Sequence, residues 1–121
     1  MISYREDEGQ KFIEFKVSGK FTKENFEEFE RKLQPRMDKW DGIRLVEIIE
    51  NVEGVEMQAF LKDVVFGLKN WSNFNKVKKC AVVADAKWIR AIADGIDPMF
   101  KPEIKTFVPT QIEEARDWVL H

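Results

Sequence analysis

Histidine occurs once in this chain, at His121, and cysteine once, at Cys80. A Ser-His or Cys-His nucleophile needs its base held within hydrogen-bond reach, and an imidazole on the last residue sits where chain ends are expected to fray. Cys80 opens an apolar run, CAVVA at 80–84, and fits a small core side chain better than a nucleophile. One Cys and one His are only half of a tetrahedral zinc set. No catalytic nucleophile, no metal centre and no cofactor are expected. The six glycines, at 9, 19, 42, 54, 67 and 95, form neither GxGxxG nor a Walker loop, so no phosphate cradle has a signature.

Carboxylates remain. Glu47, Glu50, Glu53, Glu56, Asp85, Asp94 and Asp97 are numerous enough to place a pair near one end of a sheet. General acid–base work further requires burial or a close like charge to shift a pKa. With 22 Asp plus Glu in the chain such pairs arise by number alone, so an enzyme built on carboxylates is the weakest reading.

Alternating strands and helices must position these groups. Residues 11–18 alternate, Phe12, Glu14, Lys16 and Ser18 on one side and Ile13, Phe15 and Val17 on the other, the period of a half-buried strand. A short strand at 2–5 precedes it through a hairpin at Asp7-Glu8-Gly9. Thr22 is suited to cap a helix over 23–34 that carries Phe26, Phe29, Leu33 and Met37 at helical spacing. Pro35 clashes with a continuing helix, so a kink or stop is expected just before it, with Trp40-Asp41-Gly42 turning the chain. Residues 43–49, IRLVEII, are nearly continuously apolar, as in a central strand buried on both faces.

Residues 57–71 place Met57, Phe60, Leu61, Val64, Val65, Leu68 and Trp71 on one broad stripe, a core-packing helix. Residues 79–84 read as another buried strand, followed by Asp85 as cap of a helix through Trp88, Ile89, Ile92 and Ala93. A last strand at 104–109 leads to Thr110 and Glu113, a capping box for a helix carrying Ile112, Ala115, Trp118 and Val119. The order β-β-α-β-α-β-α-β-α predicts one α/β domain over residues 1–121. It should hold a mixed, mostly parallel sheet of about five strands covered by about four helices.

Composition narrows the partners. Lys plus Arg number 20 against 22 acids, a net charge of −2, which argues against nucleic acid because that affinity needs a clustered basic face. The one basic cluster, Lys76, Lys78 and Lys79, reads as a solvated strand entry. No apolar run approaches the roughly 18 residues that cross a bilayer. The opening MISYREDEGQ is acidic where a signal peptide is basic and then apolar, so a cytoplasmic location is expected.

The chain resembles the SpoIIAA-like family, small domains related in shape to STAS and Sec14-like folds. The resemblance rests on residues 13–29, IEFKVSGKFTKENFEEF, the strand-to-helix passage ending at Trp71, AVVADAKWIR at 81–90, and the tail KTFVPTQIEEARDWVL at 105–120. Its most specific pieces are Asp85 with Trp88, and Phe107 with Glu114, Ala115 and Trp118. What it implies is a fold more than an activity. The related anti-sigma-factor antagonists switch by phosphorylating a serine in the loop after a central strand; here that loop, 50–55, has no hydroxyl, and Glu50 and Glu53 give it standing negative charge.

Two surfaces follow as expectations. In open α/β sheets ligands collect outside the carboxyl ends of parallel strands, which places Asn51, Glu53 and Gly54 near Asp85, Lys87 and Trp88. Four Trp and ten Phe exceed what one small core needs, leaving Phe66, Trp71, Phe74, Met99 and Phe100 as candidates for a partner surface. The leading expectation is a non-enzymatic regulatory or protein-interaction module that contacts a protein partner or self-associates as a homodimer through an apolar helix face or an edge strand. The alternative, implied by the Sec14-like resemblance, is a carrier of a small apolar molecule or lipid.

Overall fold

Three apolar runs, at 12–17, 43–49 and 80–84, lie side by side as the interior of one sheet. The computed structural model describes residues 2–18, 23–50, 77–87, 90–91 and 103–121. Strands β1 (Ile2–Asp7) and β2 (Phe12–Ser18) form an antiparallel hairpin, and helix α1 (Lys23–Lys39) leads to β3 (Ile43–Glu50). Strands β4 (Val77–Ala84) and β5 (Glu103–Phe107), a 3-10 turn (Pro109–Gln111) and helix α2 (Ile112–Leu120) follow. The sheet order is β1-β2-β3-β4-β5, parallel from β2 onward. The backbones of two helices, α1 and α2, are described from end to end. Lys87, Arg90 and Ala91 are helical, with the Arg90 N–H donating to the Ala86 carbonyl at 3.4 Å, so the helix expected after Asp85 begins there; the helix expected over 57–71 lies outside the described residues. No helix among the described residues is long and apolar enough to cross a membrane.

Strand register sorts side chains onto two faces. On one, Phe12, Val46, Ile48, Ala81, Val83 and Phe107 are buried against Ala115 and Val119 of α2, with Ile112, Trp118 and Leu120 packed around them. On the other lie Ile13, Phe15, Leu45, Cys80 and Val82, all buried. Helix α1 crosses the β1 end of this second face: Arg36 pairs with Glu6, and the Lys32 ammonium sits 4.9 Å from the Tyr4 ring, itself edge-on to Phe15.

Several local expectations are corrected. Strand β2 is not half-buried, because α2 covers the side expected to be wet, and Phe12, Ile13, Glu14 and Phe15 are all buried. The hairpin strand runs to Asp7 and turns through residues 8–11, where Lys11 adopts φ 56° and the Gln10 N–H donates to the Asp7 carboxylate. Helix α1 continues through Pro35 to Lys39. A proline disturbs the carbonyls of the preceding turn, and here the Arg36 guanidinium donates to one of them, Lys32 O, at 3.2 Å. At the last helix the side-chain bond is made by neither Thr110 nor Glu113; Gln111 Oε1 accepts from the Val108 N–H at 3.1 Å. Gly42 takes φ 81° at the turn into β3, a conformation that favours glycine.

Lys79 is more than a solvated strand entry. Between β3 and β4 the register skips Lys78, pairing Ile43 with Val77 and Arg44 with Lys79. This bulge brings Arg44 and Lys79 under α2, where they donate to the carbonyls of Val119 and Trp118. Two cations thus close the negative end of the helix. The Lys79 ammonium also lies 4.9 Å from the Trp118 ring.

Candidate functional site

Glu47 stands midway along β3, on the face opposite α2. Its register partners are Phe15 on β2 and Val82 on β4. Leu45 and Ile49 flank it on its own strand, and Cys80 lies diagonally across. Its described neighbours within the sheet are therefore apolar apart from the Cys80 thiol. Glu47 is half-buried, so water reaches it in the middle of the sheet, and no hydrogen bond or ion pair reaches it from the described residues. Loss of hydration alone pushes its carboxyl up to about 7. Cys80 beside it is raised well above the usual thiol range, first by burial and then by the Glu47 charge, which keeps the thiol protonated and unreactive.

Glu14 and Glu6 on neighbouring strands are paired. Glu14, 9% exposed on the α2 face, accepts from Arg116 Nε at 2.7 Å and Nη2 at 3.0 Å, a two-pronged pair across 102 residues of sequence, and Arg116 also reaches Glu113. Glu6 accepts from Arg36 at 2.8 and 2.6 Å, which holds its carboxyl below the usual range. Burial, followed by the hydrogen bond Tyr4 donates to Glu6, pushes the Tyr4 phenol up to about 12. These pairs fasten α1 and α2 to the sheet.

The expected strand-end site is partly described. Ile49 and Ala84 are neighbours, so the ends of β3 and β4 adjoin as the topology required. Asp85 and Lys87 are both exposed there. Glu50 is half-buried and paired with Lys16 at 3.5 Å, which commits to the sheet part of the negative charge expected of that loop. Asn51, Glu53, Gly54 and Trp88 lie outside the described residues, as do Phe66, Trp71, Phe74, Met99 and Phe100 of the expected partner surface. Among the described residues no group of three His, Cys, Asp or Glu could hold a metal ion.

A second recess, an open groove of about 1040 Å³, runs between the hairpin and α2. Acids dominate its walls: Glu6, Asp7, Glu8, Glu113, Glu114 and Asp117. Its floor includes Phe12, with the Arg5 guanidinium 5.6 Å from the ring.

Sequence alone marks Glu47 only as one carboxylate among seven. The usable signal is its place inside IRLVEII, a segment expected to be buried on both faces. Nothing in the sequence points to Arg116 as the partner of Glu14.

The SpoIIAA-like family model matches residues 12–120. No curated protein matches the chain. Among solved structures, it is similar to an uncharacterized protein of the DUF3478 family with a SpoIIAA-like fold from Shewanella loihica PV-4. The two are 21% identical over 98% of this chain and 92% of that one, with a TM-score of 0.64. That likeness carries the fold and no activity.

Proposed function

The chain belongs to the SpoIIAA-like family, and we propose that it is a non-enzymatic regulatory module that binds rather than transforms, with a small-molecule site on the sheet face around Glu47. One observation carries this: a half-buried carboxyl without a partner among the described residues, set in the centre of an apolar wall of Phe15, Leu45 and Val82. Apolar walls with one oriented polar group are the usual make-up of small-ligand sites. A fold alone gains little from a carboxyl there, since burying it costs free energy that nothing among the described residues offsets.

Organic extraction of the purified protein with mass spectrometry, and methyl NMR during titration with a chemically mixed fragment library, test the reading. We expect ligands that move the methyls of Leu45, Val82 and Ile49. An extract without bound small molecules, together with methyls that no library member moves, refutes it.

A protein-partner reading is favoured by the acidic groove beside α2, whose charge complements a basic segment of another protein. Edge-strand pairing is disfavoured, because β1 exposes Arg5, Glu6 and Asp7, and β5 exposes Glu103 and Lys105. Glu114→Lys with Asp117→Lys should abolish salt-sensitive binding of basic peptides; unchanged binding removes this reading.

A further inference from the structure

The occupant of the acidic groove follows from where the fold leaves its sheet open, and the inference rests on the protein-partner reading just given. Among the described residues α2 alone packs against its face of the sheet, over β3 and β4 and across to β2 through Arg116 and Glu14. Nine residues make a helix about 14 Å long and about 10 Å wide, while five strands spaced about 4.8 Å apart span about 19 Å. The β1 flank is left over. Arg5 and Asp7 are exposed there, and the groove of about 1040 Å³ opens beside them.

Room is matched by charge. The described lining holds six acids, all exposed, against Arg5 and Arg116, a net −4 in a chain whose whole charge is −2, so the rest of the chain carries +2. Glu6, Glu8 and Glu113 already have Arg36, Lys39 and Arg116. Asp7 on the hairpin wall meets the Gln10 N–H, and on the α2 wall Glu114 meets the Gln111 amide and Asp117 meets His121. Both walls thus keep negative charge turned to solvent. The fold itself answers such carboxylates with guanidinium groups: Arg36 makes two hydrogen bonds to Glu6, and Arg116 makes two to Glu14. A third, Arg5, lies 5.6 Å from the Phe12 ring on the floor. A second copy of this chain is a poorer occupant, because the two would meet with like net charge, and Lys16, Arg44 and Lys79 are engaged within the chain.

We propose that this groove receives an extended, arginine-bearing segment of a protein partner, with guanidinium groups on Asp7 at one wall and on Glu114 and Asp117 at the other. Glu114 and Asp117 stand three residues apart on one helix face, about 5–6 Å between Cβ atoms, and arginines at alternate positions of an extended segment are about 6.6 Å apart. A guanidinium holds a carboxylate through two parallel hydrogen bonds and is more weakly hydrated than an ammonium. The groove therefore distinguishes arginine from lysine at equal charge. Arg5 is the chain's own competitor, a cation across the floor that an incoming segment must meet.

The test titrates three peptides of one backbone, GRGRGRG, GKGKGKG and GQGQGQG, capped at both ends, into the ¹⁵N-labelled full chain. The arginine peptide should shift amides on both walls, from Asp7 to Gln10 and from Glu113 to Asp117, and bind about fivefold tighter than the lysine peptide. The glutamine peptide should shift neither wall. Binding should weaken as salt rises from about 50 to about 300 mM. Asp7→Asn, and Glu114→Gln with Asp117→Gln, should each lower the affinity of the arginine peptide about threefold, the strength of exposed ion pairs, and Arg5→Gln should raise it. Equal affinity for the arginine and lysine peptides, with both walls shifting, leaves the protein-partner reading standing and overturns the arginine inference. Shifts from none of the peptides end both. A dimer in sedimentation that Glu114→Gln with Asp117→Gln dissociates gives the groove to a second copy and overturns the inference as well.

Discussion

Replacing Glu47 by glutamine should stabilise the protein in a way that grows with pH. The unfolded carboxyl titrates near 4.5 and the folded one near 7. The folded state therefore favours the protonated form. Below the unfolded value both states hold the proton and the group is neutral in its effect. As pH rises through and beyond that value, the folded state must either keep a proton the unfolded chain has released or hold a desolvated anion, and stability is lost until pH passes 7. At about 1.4 kcal/mol per pH unit, the cost is about 1 kcal/mol at pH 5 and about 3 kcal/mol at pH 8. Water reaches the half-buried carboxyl and screens part of this, leaving a difference between the two pH values of about 2 kcal/mol. A glutamine side chain cannot ionise, so urea melts of the parent and the Glu47→Gln variant at pH 5 and pH 8 isolate the term: any fixed penalty for burying the amide cancels between conditions. The gap in stability should widen by about 2 kcal/mol toward pH 8, or about 8 °C in Tm for a domain of this size. Parallel pH profiles for the parent and the Glu47→Gln variant would mean that the carboxyl is compensated, and the argument for a site around it would fall.

The remaining predictions concern what holds the fold. Arg116→Ala leaves Glu14, 9% exposed, without its guanidinium and should cost about 3 kcal/mol by urea denaturation, whereas Arg116→Met with Glu14→Leu should recover most of that loss. Lys79→Ala removes one of the two cations at the end of α2 and should cost about 1 kcal/mol, less at high salt, with faster amide exchange confined to the last turn. Cys80, buried and raised well above its usual range, should react with a thiol reagent only at the rate of unfolding; rapid labelling in native buffer would contradict its burial.

What the sequence made legible is tied to short-range pattern. IRLVEII and CAVVA announced two inner strands because continuous apolar character has few other uses in a soluble chain, and they pair as expected, Ile48 with Val83 and Ile49 with Ala84. The alternation of β2 misled, since one helix arriving 100 residues later covers the side that looked solvated. Pro35 misled for a related reason: local sterics forecast a stop, while Arg36, anchored to Glu6 across the sheet, holds the helix on course. Of the candidate site, sequence exposed the oddity of Glu47 within its strand but not its lack of a partner. Pairing depends on which residues the fold brings near, and Glu14 shows that a partner can lie 102 positions away.

Glu14 and Glu47 offer a controlled comparison within one molecule. Each is a glutamate on an interior strand, and each breaks the pattern of its neighbours. A charged residue in a sheet interior is therefore not in itself a mark of function. At Glu14 the chain has supplied a two-pronged guanidinium that also fastens α2, and the departure serves the fold. At Glu47 the described residues offer apolar surface and no countercharge, so its removal should strengthen the protein. A carboxyl that costs the fold stability, where a neutral isostere would serve it better, is what the proposed binding role requires at Glu47. The distinction is made by compensation, and it can be tested: Glu14→Gln should weaken the protein at pH 8, while Glu47→Gln should strengthen it.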